Sequence, residues 1–347
     1  MKILVTGGAG YIGAHAIIEL VEQGGHEIVS IDNHCNSSPE TFERIRSITG
    51  IEIKNYTTDI SDAAETETFF KQHDDIEGII HFAALKSVGE SMSFPLRYYR
   101  NNVSGLINVI EGALQTGCKY FVFSSSCTVY GNIAALPVSE NTPLNNAESV
   151  YGYTKQIGER MLEDAVRSNP GAMRAISLRY FNPVGAHSSG LIGELPSGKP
   201  ENLLPSIVST AAGMQEQMTV FGDDYNTRDG SCIRDYVHVC DIARAHILAL
   251  EHMKKSSEKN YDVFNLGTGE GVSVLEMISA FERNTGKSFS CNIGPRRKGD
   301  IEAIYSDCSK AEKLLGWKAK RTVDDMLLSA WKWQQHLMAS NGDSPRP

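Results

Sequence analysis

Two rhythms of apolar residues alternate through the first half of the chain. Short β-branched or aromatic runs at 3–5, 27–31, 51–56, 76–82 and 120–123 read as strands. Between them apolar positions recur at helical spacing, as in 11–23, where Ile12, Ala16 and Leu20 share a face. Strands separated by single helices make βαβ units, and right-handed crossovers wind such units into a parallel sheet with helices on both faces. The expected class is therefore α/β, a doubly wound parallel sheet of the Rossmann kind, followed by a smaller mixed α/β lobe.

The rhythm changes after residue 181. Positions 182–200, rich in Gly, Pro and Ser, read as a long loop. Helices are expected at 202–215, 238–255, 273–285, 308–315 and 322–337, with a short strand at 263–266. Positions 172–180 look like another strand of the first sheet, so the two lobes interleave. The division is 1–181 for the first domain, with later segments joining it, 182–338 for the second lobe, and 339–347 for a polar, proline-bearing tail expected to be disordered. No internal repeat or low-complexity block interrupts the chain.

Composition narrows the class without naming a function. At roughly 150 residues per domain, 347 residues suggest two units. Lys and Arg number 33 against 42 Asp and Glu, a net charge of −9. That balance argues against a protein that coats nucleic acid or an anionic membrane, though not against a local basic pocket. No apolar run approaches the roughly 18 residues of a membrane span. The start, Met1-Lys2 running straight into a strand, does not read as a secretory leader. Seven widely spaced cysteines with no C-x-x-C pair suit reduced thiols in the cytoplasm.

Thr6-Gly7-Gly8-Ala9-Gly10-Tyr11-Ile12-Gly13 follows the first strand and opens the first helix. Gly7 permits the tight turn, Gly10 lets backbone approach a pyrophosphate, and Gly13 allows close packing of helix on strand. The helix N-terminus then offers free N–H groups to phosphate. Asp32 ends the second strand, 19 residues after Gly13, where a carboxylate can accept from an adenosine ribose. Its neighbours Asn33 and His34 are not the Arg or Lys that a 2′-phosphate needs, which favours NAD over NADP. Asp59 and Ile60 follow the third strand; Asp59 reads as an adenine contact or equally as a helix N-cap.

Ser124-Ser125-Ser126 follows the fifth strand, at the strand ends where open α/β sheets bind ligands. Tyr151 and Lys155 stand four apart at the start of a helix, hence on one face. Such a spacing alone is ordinarily a packed tyrosine and a solvated lysine; the ordered set of glycine loop, acidic ribose residue and serine reverses that reading. An ammonium beside the phenol, with the positive nicotinamide of NAD, would lower the phenol pKa from near 10. Tyr151 could then take a hydroxyl proton, with Ser126 hydrogen-bonding the reacting oxygen. Tyr153 competes but has Ile157, not a lysine, at its i+4 position.

This set resembles the extended short-chain dehydrogenase/reductase superfamily, from residue 1 to about 338. Further strings are similar to its nucleotide-sugar 4-epimerase branch: His81-Phe82-Ala83-Ala84-x-Lys86-Ser87-Val88-Gly89-Glu90-Ser91, Ser124 to Gly131, Arg179 to His187, Arg234-Asp235-Tyr236-Val237-His238-Val239 and Arg297-Lys298-Gly299-Asp300. The resemblance implies tightly held NAD and a UDP-hexose inverted at C4 through a transient 4-keto sugar. It implies NAD contacts from Gly7, Gly10, Tyr11, Ile12, Gly13, Asp32, Asn33, Asn36, Ser37, Asp59, Ile60, Phe82, Ala83, Ala84, Lys86, Asn101, Ser124, Tyr151, Lys155, Tyr180 and Phe181. It implies UDP-sugar contacts from Lys86, Ser126, Tyr151, Phe181, Asn182, Asn202, Leu203, Phe221, Arg234, Tyr236, Arg297, Asp300 and Ile304. The two arginines would fork onto the diphosphate, and Asp300 would take the uridine ribose. Without the resemblance, Asn202 would be a helix N-cap and Phe221 core.

Relatives that eliminate or decarboxylate would carry an acid after the fifth strand; this chain has Cys127 and Thr128 there. A cofactor-binding sensor would be expected to lack Tyr151 or Lys155, and both are present. Ile304, intermediate between a large and a small residue, leaves acceptance of N-acetylated UDP-hexosamines open. The resemblance also implies a homodimer through helices at 94–116 and 151–169. His238, Cys240 and His246 form the densest histidine cluster but lack metal-site spacing and read as packing.

Overall fold

The computed structural model describes residues 1–196, 198, 200–256, 259–297 and 300–342. The apolar runs become β1 (Lys2–Thr6), β2 (Glu27–Ile31), β3 (Lys54–Tyr56), β4 (Gly78–His81), β5 (Tyr120–Ser126) and β6 (Arg174–Tyr180). Shorter strands follow: β7 (Asn182–Val184), β8 (Met218–Phe221), β9 (Ile233–Arg234), β10 (Tyr236–His238), β11 (Tyr261–Leu266), β12 (Val272–Ser273), β13 (Cys291–Gly294) and β14 (Ala303–Ile304). Among the described residues, seven strands form one sheet in the order β3-β2-β1-β4-β5-β6-β11. Every pairing in it is parallel. The order reverses between β1 and β4, and such switch points open a crevice at the strands' carboxyl ends.

The helices between these strands are α1 (Tyr11–Gln23), α2 (Glu40–Thr49), α3 (Ala63–Gln72), α4 (Val88–Ser93), α5 (Pro95–Tyr98), α6 (Gly105–Thr116) and α7 (Val150–Ser168). Later come α8 (Leu203–Ala211), α9 (Val239–Lys255), α10 (Val274–Thr285), α11 (Ser309–Leu315) and α12 (Val323–Gly342). On one face of the sheet Ile17 and Leu20 of α1 pack with Ile242 and Leu250 of α9. On the other, Val109 and Ile110 of α6 pack with Leu162 of α7 and Phe69 of α3. Each such buried aliphatic side chain contributes about 1.5–3 kcal/mol. A separate core under β8 and β10 joins α8, α10 and α12.

Several sequence expectations shift. The third strand begins at Lys54 rather than at 51, and the fourth occupies 78–81. The expected loop at 182–200 contains β7, paired with β10, and an Ala186–Gly193 bridge. The small sheets were not legible locally, because two- and three-residue strands carry no periodicity of their own. The later segments expected to join the first domain include α9, which packs on its sheet, and β11, which pairs with β6. The tail expected to be disordered from 339 is helical as far as Gly342; 343–347 lie outside the described residues. An unexpected π-helical turn, Tyr99–Ser104, joins α5 to α6.

Candidate active site

The loop after β1 is built for close approach. Gly7 has φ +74°, and a Cβ there would meet the Ala83 nitrogen at 2.8 Å. A Cβ on Gly13 would meet the Gly7 carbonyl oxygen at 2.2 Å. Helix α1 has no side-chain cap at Gly10 and no acidic residue in its first turn. By contrast α3, α4, α7 and α10 are capped by Asp62, Ser87, Ser149 and Ser273. An uncapped 13-residue helix starting over the switch point leaves N–H donors and a positive end for an anion. Asp32 faces this loop: its carboxylate accepts from Ala9 N at 2.9 Å, His34 N at 2.9 Å and the Ser37 hydroxyl at 2.8 Å. These residues fit a dinucleotide pyrophosphate with a ribose beside Asp32.

Other expected cofactor residues lie around the same crevice. Asn33 closes the turn after β2 by accepting from Cys35 N, while Asn36 lies exposed in that turn. Asp59 is not the N-cap of α3; it accepts from Ser61 N and Oγ, and Asp62 caps the helix. Ile60 is core, and its carbonyl accepts from Asn108. Ile12 packs on the core beside β1, and Tyr11 donates to the Gly185 carbonyl at 2.6 Å, tying α1 to the second lobe. Phe82 lies against His246, Ala83 N donates to Thr6 Oγ1, and Ala84 continues that turn. Asn101 donates to Asn102, which lies in the π turn. Asn102 in turn bonds both backbone groups of Leu85 and the Thr154 hydroxyl.

At the carboxyl end of β5, three predicted residues converge. Lys155 is buried and donates to the Ser124 carbonyl at 2.6 Å, with its ammonium 5.8 Å from the centre of the Tyr151 ring. Tyr151 is partly open, and the Ser126 hydroxyl lies near enough to favour its phenolate. The Ser124 hydroxyl bonds Tyr180, and Phe181 is buried beside Cys127.

The expected lowering of the Tyr151 pKa is not what the chain alone produces. Burial pushes it up to about 12, with Ser126 pulling the other way. Burial also lowers Lys155 to about 7, partly opposed by Glu159. Desolvation of the charged form is the largest cause at both groups.

The other expected cluster forms at the far end of the cleft. Asp300 lies 3.5 Å from Arg234 and 3.2 Å from Arg297. The Arg297 guanidinium stands 4.9 Å over Phe221, which is 40% exposed rather than core. Lys298 and Gly299 of the same string lie outside the described residues. Asn182 neighbours this cluster, because β7 pairs with β10 and Asn182 N donates to the Asp235 carbonyl. Its side-chain oxygen is buried without a protein partner. Ile304 is opposite Arg234 in the β14–β9 register, and its side chain packs with Cys127 and Phe181, joining the two ends.

Two expected contacts fall elsewhere. Tyr236 is sealed in the second-lobe core, although Arg234 and Asp300 are near enough for their charges to act on it. Leu203 packs on that core too. Asn202 starts α8 but makes no side-chain cap; it donates to Glu194, as Lys86 does at 2.8 Å. Glu194 was missed because a lone acid in an irregular loop carries no pattern. Glu159 was missed too, although it continues the 151, 155 helical face. Among the described residues no group of three or more His, Cys, Asp and Glu is placed to hold a metal. His238 caps α9 and His246 bonds its own helix.

A doubly wound sheet with a glycine-loop helix end beside a Ser, Tyr and Lys set defines a dinucleotide-dependent α/β enzyme. The family model for the NAD dependent epimerase/dehydratase family matches residues 3–267, and the chain belongs to that family. Over 336 residues it is 46% identical to the UDP-glucose 4-epimerase of Haemophilus influenzae, covering 97% of this chain and 98% of that one. A UDP-glucose 4-epimerase from Stenotrophomonas maltophila, solved with NAD and formylated UDP-arabinopyranose, superposes with TM-score 0.93 at 46% identity. That match covers 98% of this chain and 99% of the other. The Bifidobacterium longum enzyme, solved with NAD+ and UDP, gives TM-score 0.92 at 45% identity over 97% and 98%.

Proposed function

We infer that this chain catalyses the reversible epimerisation of UDP-glucose and UDP-galactose at C4 through a transient 4-keto sugar. The observation that carries the reading is the meeting of Ser126, Tyr151 and Lys155 at the strand ends beside an uncapped glycine-loop helix. When bound, NAD supplies the hydride acceptor and donor for C4 and adds a positive ring beside Tyr151. Tyr151 takes the 4-hydroxyl proton and later returns it, with Ser126 hydrogen-bonding the reacting oxygen. Lys155 supplies positive charge to the phenolate that forms. Arg234 and Arg297 hold the diphosphate, Asp300 holds the uridine ribose, and Phe221 covers the base. Firm binding at this end leaves the hexose free to turn and present its other face. The test is incubation of the purified protein with NAD and UDP-galactose and assay for UDP-glucose; absence of interconversion overturns the reading.

Loss of water at C4–C6 is disfavoured by the two residues after Ser126. Burial holds the Cys127 thiol neutral, its pKa pushed up to about 12, and Thr128 offers no acid. Epimerisation of N-acetylated sugars is the second reading, because Ile304 is smaller than an aromatic residue. Comparing UDP-N-acetylglucosamine turnover by the native protein and by Ile304→Tyr tests it: the variant should lose that substrate more than UDP-galactose. Full retention would remove Ile304 from the pocket.

The homodimer reading is supported by apolar side chains left on the surface of the helices expected to pair. Phe94, Leu96, Ile107 and Tyr153 are 41–74% exposed. Light scattering should give twice the chain mass. A cytoplasmic setting is supported by seven free cysteines. No described helix is long and apolar enough to cross a membrane.

A further inference from the structure

Three successive residues of β5 are matched to three successive turns of α7. The Ser126 hydroxyl lies near enough to Tyr151 to act on its phenol, the Ser124 carbonyl accepts from Lys155 at 2.6 Å, and the Ser125 hydroxyl donates to Glu159 at 2.5 Å. The third match lies behind the catalytic pair, away from the cleft. Glu159 there meets Arg179 of β6, whose Nε and Nη2 donate to its two oxygens at 2.8 and 2.6 Å. Arg179 is opposite Ser125 in the β5–β6 register, so strand pairing aims both donors at one carboxylate. Its remaining nitrogen donates to Tyr130, which donates to Asn265 of β11. Ser125, Glu159 and Arg179 are all buried.

A buried ion pair is a costly way to join a helix to a sheet, since apolar residues of like volume pack there as well. What an ion pair adds is a fixed register and a fixed charge. Around Lys155 the other titratable groups stay neutral near physiological pH. Burial lowers His81 of β4 to about 3 and raises Cys127 to about 12; it also raises Tyr151 of α7, Tyr180 of β6 and Tyr261 of β11. Glu159, held by Arg179, is the charge that acts on Lys155.

We propose that Glu159, clamped by Arg179 and Ser125, is a positioning residue for the epimerisation: it locks α7 in register with β5 and keeps Lys155 charged beside Tyr151. The proposal rests on the epimerase reading. The carboxylate favours the ammonium over the free amine, opposing the burial that drives Lys155 to about 7. Glu159→Gln keeps the shape and removes the charge, leaving Arg179 as an uncompensated cation that further disfavours the ammonium. The double variant Glu159→Gln with Arg179→Met removes both charges and lifts the burden of an unpaired ion.

The experiment measures kcat and KM for UDP-galactose against pH, with thermal midpoints, on NAD-loaded native protein and both variants. Glu159→Gln should lose at least tenfold in kcat with KM little changed, and its alkaline limb should move down by about one pH unit. The double variant should regain thermal stability but not kcat or the native pH profile. If Glu159→Gln does not fold, the double variant alone carries the comparison. A kcat that recovers along with the thermal midpoint, or a native pH profile in either variant, overturns the positioning role. A native protein that does not interconvert the two sugars overturns the epimerase reading instead.

Discussion

The two ends of the cleft are built on opposite physical terms. At the chemical end Lys155, Ser126, Glu159 and Arg179 are buried and hydrogen-bonded, and burial is the main cause of the shifts at Tyr151 and Lys155. At the nucleotide end Arg297 and Phe221 are exposed, Arg234 and Asp300 are half-buried, and the charges are solvated. Rigid, dry surroundings make small displacements of a proton donor expensive. The exposed Arg297 can exchange Asp300 for phosphate at little cost, because surface ion pairs are worth about 0–1 kcal/mol. One end is therefore suited to chemistry, and the other to grip.

The largest effect should come from the dry end. Tyr151→Phe should lower kcat by about a thousandfold, within the range for loss of an acid–base group, with NAD binding nearly intact. Stopped assays and fluorescence of bound cofactor measure the two. A mutant at full rate would remove Tyr151 from proton transfer and dissolve the contrast.

Arg234→Met should act mainly on binding. Loss of a charge-assisted hydrogen bond of about 1.5–3 kcal/mol predicts roughly a tenfold to hundredfold rise in KM for UDP-galactose, with kcat changed less. Raising ionic strength should weaken native binding and weaken the variant's less. A variant that loses kcat instead would place Arg234 with the chemical end.

Acid should break the buried regions through their histidines. Burial lowers His15, His81 and His238 to about 3 and His246 to about 4, so each ring stays neutral in the folded protein. Below about pH 6.5 the unfolded chain binds protons that the folded chain does not. Stability therefore falls as pH drops from about 6.5 toward 4, by about 1.4 kcal/mol per unit for each ring, and these rings add no pH dependence above 7. Thermal melts at pH 7.5, 6 and 5 check this; equal midpoints would show that the rings are solvated. The smallest effect should be Phe221→Ala, a few-fold rise in KM from the lost cation–π contact of about 0.5–1 kcal/mol.

Legibility in the sequence followed the range of the interaction. Helix α1 and β2 have the bounds that the pattern predicts, and α7 begins one residue before the predicted start. Periodicity and turn glycines act within a few residues, so they can be read along the chain. The Tyr151–Lys155 spacing was legible for the same reason, while its meaning needed Ser126 from another strand. The electrostatics were not legible. A lysine four residues from a tyrosine suggests a lowered phenol pKa, yet desolvation raises it to about 12, and desolvation depends on everything packed around the pair.

The amino-acid order by itself determined the parallel winding, the glycine loop over the first helix and the placing of Tyr151 and Lys155 on one helical face. These rest on local propensity and on spacing along one element. Only the tertiary structure decided that Glu159 meets Arg179 behind Lys155, that Asp300 lies between two arginines, and that Ile304 spans the two ends. Those contacts join residues far apart in the chain. They exist only once β6, β9 and β14 have found their registers, and no local pattern records a register set by distant strands.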